Sequence, residues 1–280
     1  MDVSKWISVL SEVDGIDGIV LGGSKSRGEA DIHSDTDIGV YYHESINWDE
    51  FEEVLRTLSE QRREGEKVLF LPGEWGPWVN GGAWLTIAGD AYDVILRDTK
   101  RVKKEINECL NGTITIDYQV GHPFGYVNTI YAAEVHYAEI LWEKESRPIS
   151  QLKNQLHSQG PLPSKMKEAS IDRFLFEAQF SMDTARKAVL KGDVHYVNGC
   201  FFRTVSCWNQ VLYALNDRFM MNEKGSLKVA NQLPISPEAY LVRVYQAYQY
   251  FSEHNPQLGF EEFELLQTEI VELINKNSRK

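Results

Sequence analysis

The sequence is poor in cysteine, in long apolar runs and in basic residues relative to acidic ones. Three cysteines occur among 280 residues, and their spacing is not that of a metal-binding motif. This scarcity is typical of a reducing compartment, where disulfides are rare. No apolar run approaches the roughly 20 residues that a membrane-spanning helix needs, and the first residues do not resemble a signal peptide. The sequence therefore predicts a cytoplasmic protein without a membrane partner.

Basic residues are outnumbered by acidic ones, 29 against 41, and the formal net charge is −12. A broad basic surface of the kind that holds DNA or tRNA is therefore not expected. An acidic chain attracts cationic molecules instead, so we expect a small-molecule partner rather than a nucleic acid. Composition leaves the oligomeric state undefined.

The chain changes character between residues 145 and 165. Before this stretch, strand patterns alternate with helical ones; after it, strand signals vanish and long amphipathic helical patterns follow. A chain of 280 residues is long enough for two domains. We predict an α+β architecture, with a mixed β-sheet flanked by helices in residues 1–147 and an all-helical bundle in residues 148–280.

Local patterns predict individual elements within this architecture. Helices are expected over residues 3–13, 49–61, 98–110, 195–219, 237–251 and 260–274, and an apolar stripe over residues 171–189 predicts another that stops before Gly192. Strands are expected over residues 18–21, 37–42, 84–88 and 92–96, the last two joined by a turn at Gly89 and Asp90.

One stretch combines a glycine turn, a hydroxyl and two carboxylates: Leu21-Gly22-Gly23-Ser24 followed by Asp35-Thr36-Asp37. It lies between two predicted strands. Side chains at i and i+2 of a strand point the same way, so Asp35 and Asp37 are expected to project from one face. Two carboxylates held that close repel unless a cation joins them, and hard oxygen ligands favour Mg²⁺ or Mn²⁺. The stretch therefore predicts a site for phosphoryl or nucleotidyl transfer.

Gly22-Gly23-Ser24, ten intervening residues and Asp35-Thr36-Asp37 together resemble the GS-x(n)-DxD motif of the polymerase-beta-like nucleotidyltransferases. This superfamily includes the antibiotic nucleotidyltransferases. The resemblance covers roughly the first hundred residues, and the helical remainder resembles the two-domain aminoglycoside- and lincosamide-type enzymes only in layout. It implies a third carboxylate on a later strand, for which Asp93 is the candidate because it is the only acidic residue in strand 92–96.

The resemblance implies roles for these residues. Asp35, Asp37 and Asp93 would be catalytic and bind Mg²⁺ or Mn²⁺, with Asp93 either a metal ligand or the base for the acceptor hydroxyl. ATP is the expected nucleotide donor. The candidate residues for binding its phosphates are Gly22, Gly23, Ser24, Lys25, Arg27, Ser34 and, from the helical domain, Lys224 or Lys228. For Lys224 a solvated loop lysine is an equally good interpretation.

The sequence predicts an enzyme that transfers a nucleoside monophosphate, AMP from ATP, to a hydroxyl of a small molecule and releases pyrophosphate. An aminoglycoside-type antibiotic is the expected acceptor, which would make the protein an antibiotic-resistance enzyme. Two alternatives stay open: nucleotidylation of a protein or RNA, as in toxin–antitoxin systems, and a non-catalytic nucleotide-binding regulatory module. An intact set of three acids counts against the regulatory module.

Two loops are candidates for the wall of the acceptor site. Residues 73–82 are rich in tryptophan and glycine, which is typical either of a mobile aromatic wall or of a packed surface loop. Residues 121–126 contain His122, for which an acceptor contact and a structural role are both open.

Overall fold

The fold was derived from a computed structural model, which describes residues 3–28, 35–44, 46–59, 67–252 and 255–277, the side chains of residues 3–5 and 252 excepted. The chain divides into two compact units. The first comprises Met1–Glu108 and Ile116–Ser158, and the second comprises Cys109–Thr115 and Gln159–Lys280. The sequence-based domain boundary after residue 147 stays a prediction.

The first unit contains the sheet. Its strands are β1 (Ile16–Leu21), β2 (Thr36–Tyr42), β3 (Gly82–Ile87), β4 (Asp90–Asp98), β5 (Ile116–Asp117), β6 (Tyr126–Val127) and β7 (Glu139–Glu143). The helices that lie wholly or mostly in it are α1 (Val3–Leu10), α2 (Gly23–Ser26), α3 (Trp48–Leu58), α4 (Thr99–Leu110), α5 (Thr129–Tyr137) and α6 (Pro148–His157).

Within the described residues, five of these strands form one sheet in the order β3-β4-β2-β1-β7. Strands β2 and β4 run parallel, whereas the other neighbouring pairs are antiparallel. The sheet is therefore mixed, as the sequence predicted.

One face of the sheet is apolar. Alternate residues of β2 and β4, including Ile38, Val40, Val94 and Leu96, are fully buried on it. Helices α1 and α3 supply the opposing core residues Trp6, Leu10, Phe51 and Leu55. Burial of each such side chain contributes roughly 1.5–3 kcal/mol, so this face supplies much of the unit's stability.

The predicted hairpin of β3 and β4 is present, with its turn one residue earlier than expected. Ile87 pairs with Asp90, so Ala88 and Gly89 form the connection. Their φ angles of 55° and 85° are both positive, which is typical of a type I′ turn. This turn twists the two strands in the sense that the rest of the sheet requires.

Strand β7 was not predicted. It pairs antiparallel with β1, from Gly18 opposite Glu143 to Leu21 opposite Glu139. The two strands are far apart in sequence, and strand propensity depends strongly on such tertiary pairing. A local pattern therefore could not identify β7.

The second unit contains helices joined by turns and loops, with no strand among the residues of it that the structure describes. Its helices are α7 (Ser164–Lys191), α8 (Val194–Leu215), α9 (Ser226–Ala230), α10 (Tyr240–Ser252) and α11 (Pro256–Asn277). Helix α7 ends as predicted at Gly192, whose φ of 70° is a left-handed C-terminal cap. Aromatic rings of Phe201, Trp208 and Phe263 meet in the core, with centroids 4.1 and 5.1 Å apart. The predicted α+β architecture is thus confirmed.

None of the helices that the structure describes combines the length and the apolar character that crossing a bilayer requires.

Candidate active site

The two acids on β2 and β4 lie in register. Asp37 pairs with Asp93 across the parallel strands, so both side chains leave the same face of the sheet, with their backbones about 4.8 Å apart. This face is opposite the apolar one, because successive residues of a strand alternate between faces. Asp35 directly precedes β2 and is exposed. The structure therefore brings together Asp37 and Asp93, and places Asp35 at the entrance to β2.

The glycine turn after β1 lies against Asp37. The Gly22 N–H donates a hydrogen bond to the Asp37 carbonyl oxygen over 2.8 Å. Gly23 has a φ of +61°, and a Cβ at this position would lie 1.6 Å from Asp37 Oδ2. The Asp37 carboxylate therefore occupies the space that any other side chain at position 23 would need. The sequence explained Gly23 by close approach to phosphate, whereas the structure gives contact with Asp37 as a further reason.

Two cationic side chains follow this turn. The Lys25 ammonium donates a hydrogen bond to the Thr36 hydroxyl. Arg27 caps α2 and lies near enough to Asp37 for its charge to lower the pKa of that carboxyl. The structure therefore places positive charge beside the acids, at the end of the site where the sequence predicted phosphate binding.

The remaining phosphate-binding candidates are Ser24, Ser34, Lys224 and Lys228. Ser24 lies in α2, directly after Gly23. Ser34 lies outside the described residues. Lys224 is exposed in the second unit, where its backbone N–H donates to Asn222 Oδ1 over 3.0 Å, and Lys228 is exposed in α9. Their roles stay predictions.

The charged forms of both paired acids are disfavoured. The pKa of Asp37 is raised chiefly by burial and then by the charge of Asp93; Arg27 lowers it, and Asp35 and Glu134 add smaller increases. The pKa of Asp93 is raised by burial and then by Asp35. A cation between the carboxylates would offset both causes by supplying the opposite charge.

Asp37 and Asp93 could supply two of the ligands of a divalent cation, but not a complete ligand set. Among the residues described, no three His, Cys, Asp or Glu side chains are gathered into a group that could hold a metal ion unaided. Mg²⁺ commonly takes one or two protein carboxylates together with substrate phosphate oxygens. The pair is therefore suited to an ion that arrives with a nucleotide, and the role of Asp35 as a third ligand stays a prediction.

Further along β4, the same face carries a buried ion pair that the sequence analysis missed. Arg97 Nε and Nη2 donate to the two carboxylate oxygens of Glu134 on α5, over 2.7 and 2.6 Å. The two side chains are 5% and 20% exposed. The partners are 37 residues apart in sequence, so no local pattern joins them. This bidentate pair fixes α5 over the polar face of the sheet.

The tryptophan-rich loop before β3 is packed. Gln119 Oε1 accepts hydrogen bonds from the N–H groups of Trp78 and Val79 over 3.0 and 3.3 Å. Gln119 Nε2 donates to the Trp75 carbonyl over 2.6 Å. These bonds favour the packed-loop interpretation over the mobile wall. Gln119 is buried, and nothing in its local sequence marked it for this role.

His122 lies in the neighbouring loop. Its ring meets Tyr126 edge-on with centroids 5.3 Å apart, which gives it a packing role. A contact with an acceptor stays a prediction for this residue.

No protein-family model matches the chain, and no curated protein matches its sequence significantly. One solved structure that it resembles is a nucleotidyltransferase-like protein from Exiguobacterium sibiricum 255-15. The superposition covers 98% of this chain and 74% of that one, at 10% identity and a TM-score of 0.43. Likeness at this level leaves the function to be inferred from the site itself.

Proposed function

We propose that the protein is a metal-dependent nucleotidyltransferase that moves AMP from ATP to a hydroxyl of a small molecule and releases pyrophosphate. The observation that supports this most strongly is the pairing of Asp37 with Asp93 beside the glycine turn. Paired carboxylates whose ionised forms are disfavoured contribute little to folding, and perturbed acids cluster at functional sites. Their arrangement suits a cation bound with triphosphate.

The proposed reaction is an in-line displacement at phosphorus. The acceptor hydroxyl oxygen forms a bond to the α-phosphorus of ATP, and the bond between that phosphorus and the oxygen bridging to the β-phosphate breaks. Pyrophosphate leaves with the electron pair of the broken bond. When bound, Mg²⁺ or Mn²⁺ would supply charge stabilisation for the attacking and leaving oxygens.

Residues of the chain are assigned to cation binding, proton transfer and phosphate binding. Asp37 and Asp93 would hold the cation, with Asp35 as the predicted third ligand. Where Asp93 is not itself a ligand of the cation, it would accept the proton of the attacking hydroxyl. Gly22, Gly23 and Ser24 would bind phosphate through backbone and hydroxyl groups, with Arg27 supplying positive charge.

The proposed acceptor is a cationic small molecule, for which an aminoglycoside-type antibiotic is the leading candidate. The net charge of −12 favours a cation over a nucleic acid. We further propose a cytoplasmic location and a role in antibiotic resistance, on the resemblance of the Gly22-to-Asp37 motif.

The proposal is tested by incubating the protein with Mg²⁺, one of the four labelled ribonucleoside triphosphates and a panel of antibiotics and metabolites. Mass spectrometry should detect an acceptor carrying one added AMP, with release of pyrophosphate. Labelling of the protein itself or of a co-expressed protein would instead favour a macromolecular acceptor. Tight ATP binding without turnover of any panel member would contradict the proposal and favour a regulatory module.

A matched pair of variants connects the activity to the polar face. Asp93→Asn should abolish product formation, because it removes the carboxylate that would bind the cation or accept the hydroxyl proton. Asp90→Asn changes an exposed acid of the same strand that lies on the other face by alternation, so its product yield should equal that of the wild type. Equal activity of the two variants would remove Asp93 from the site.

A further inference from the structure

Beside Asp93 lies an exposed tryptophan that the proposed chemistry does not use. Trp84 of β3 is directly opposite Asp93 of β4, and residues opposite one another in an antiparallel pair share a face, with Cβ atoms about 4.5–5.5 Å apart. The Trp84 residue is 62% exposed. Its indole therefore stands on the same face as the paired carboxylates and is open to solvent.

The exposed indole is held in place by two other rings. Trp84 stacks on Trp75 with centroids 4.7 Å apart and an interplanar angle of 29°. Phe70 meets Trp84 at 65° and 5.3 Å. We refer to Phe70, Trp75 and Trp84 as the indole platform. A ring that is already held in place avoids the entropy cost of ordering on binding.

Gly82 of β3 leaves room for the Trp75 ring of the indole platform. A Cβ at Gly82 would lie 2.6 Å from Cζ3 of Trp75, so Trp75 lies close against the strand at this glycine. The hydrogen bond from Gln119 to the Trp75 carbonyl anchors the backbone of the same residue. Trp75 thus stacks against the Trp84 indole, which stays 62% exposed to solvent.

Position across the sheet separates the indole platform from the phosphate end of the site. The glycine turn follows β1, Asp37 and Asp93 lie on the next two strands, and Trp84 lies on β3 at the sheet edge. Strands about 4.8 Å apart put Trp84 roughly three strand spacings from the turn. A donor nucleotide with its phosphates at the turn therefore leaves Trp84 on the acceptor side of the acids.

Two groups at this position favour a positively charged ligand, the indole of Trp84 and the carboxylate of Asp93. The face of an indole attracts a cation through its quadrupole, and the carboxylate of Asp93 is its neighbour across the strand pair. We infer that Trp84 binds the acceptor of the proposed transfer, a hydroxyl compound carrying a protonated amine, with that amine over the exposed face of its indole. The neighbouring positions of Trp84 and Asp93 on one face suit a compound that carries both an amine and a hydroxyl, as amino sugars do.

This inference rests on the proposed function for the fate of the ligand but is tested by binding alone. Kanamycin, neomycin and lincomycin, and maltotriose as an uncharged control, are titrated into the full-length protein by calorimetry without metal or nucleotide. At least one amine-bearing compound should bind saturably, and maltotriose should not. Trp84→Leu should weaken amine binding by about fivefold or more, and Trp84→Phe by less, because phenylalanine retains a π-face.

A second tryptophan serves as the control. Trp142 lies on β7, at the opposite edge of the sheet, and packs with the apolar core. Trp142→Leu should leave amine affinity unchanged, and thermal melting should confirm that each variant is folded. Affinity for Mg²⁺·ATP should be the same in Trp84→Leu and in the wild type.

Three results would overturn the inference: no saturable binding by any amine of the panel, equal amine affinity in Trp84→Leu and wild type, or a loss of ATP affinity in Trp84→Leu, which would assign the indole to the nucleobase. Failure of the proposed function can be distinguished from failure of this inference. Amine binding that depends on Trp84, without any nucleotidylated product, would keep the amine site and reject the transfer reaction.

Discussion

The two faces of the sheet are made by the same strands but contribute differently to the stability of the fold. On one face Ile38, Val40 and Leu96 are buried among apolar side chains, which is favourable for folding. On the other face Asp37 and Asp93 are partly buried beside one another, and both pKa values are raised. The difference teaches that stability is concentrated on the apolar face, whereas the polar face carries groups that folding alone would not favour.

The largest expected effect on function comes from the polar face. Asp37→Asn should lower nucleotidyl transfer by at least about a thousandfold, because a cation ligand contributes several kcal/mol to the transition state. The fold should be retained, since the amide has the same shape and removes a disfavoured charge. Product formation and thermal melting measure the two effects. Near-normal turnover would remove Asp37 from the metal site.

The largest expected effect on stability comes from the ion pair on the same face. Arg97→Met leaves Glu134 partly buried without its partner and should cost about 3–5 kcal/mol of unfolding free energy. Denaturant unfolding measures this loss. Arg56→Met, which breaks the exposed pair with Glu52, is the control and should cost no more than about 0.5 kcal/mol. Similar losses in both variants would show that the Arg97 pair is not effectively buried.

The apolar face should behave in the opposite way. Leu96→Ala should lower the unfolding free energy by about 2–5 kcal/mol, because it creates a cavity in the core. Transfer activity per folded molecule should stay unchanged. Leu71→Ala, at an exposed position, should cost less than about 0.5 kcal/mol. A specific loss of activity in folded Leu96→Ala would mean that the two faces are not functionally separate.

Gly23 offers a smaller change at the border of the site. Gly23→Ala should cost about 1–2 kcal/mol for its left-handed backbone, and should also lower activity because the new Cβ displaces the Asp37 carboxylate. Gly192→Ala has a similar φ of +70° but open space around it, so it should show the backbone cost alone. Unchanged transfer activity in Gly23→Ala would contradict the contact with Asp37.

The smallest expected effect is in the pH dependence of stability. Because burial and neighbouring charge raise the pKa of Asp93, the folded protein binds its proton more tightly than the unfolded chain does. Its contribution therefore favours folding at acidic pH and is lost as the pH rises through the folded-state pKa. In metal-free buffer, Asp93→Asn should be more stable than the wild type at neutral pH, with a smaller difference at about pH 3. A less stable variant at neutral pH would contradict the raised pKa.

Much of the fold could be predicted from local sequence. The hairpin of β3 and β4 has its own turn signal, and Gly192 marks the end of α7. The apolar alternation of β2 also identified which of its side chains enter the core. These features depend on residues close together in the chain, which is why a pattern reveals them.

The features that could not be predicted are long-range. Strand β7 exists because of its pairing with β1, and Arg97 meets Glu134 only after α5 has packed over the sheet. Gln119 binds a loop more than 40 residues earlier in the chain. The candidate acids were named from the sequence, but the pairing of Asp37 with Asp93 and the neighbouring position of Trp84 depend on strand order, which the sequence did not define.

The central claim is that Asp37 and Asp93 lie side by side on one face of the sheet and bind a cation between them. It is tested most directly by NMR titration of their carboxyl carbons, with and without Mg²⁺ and a non-hydrolysable ATP analogue. Without them, both pKa values should lie above the ordinary value for aspartate; with them, both should fall well below their starting values. Ordinary pKa values that do not respond to Mg²⁺ and the nucleotide analogue would contradict the account.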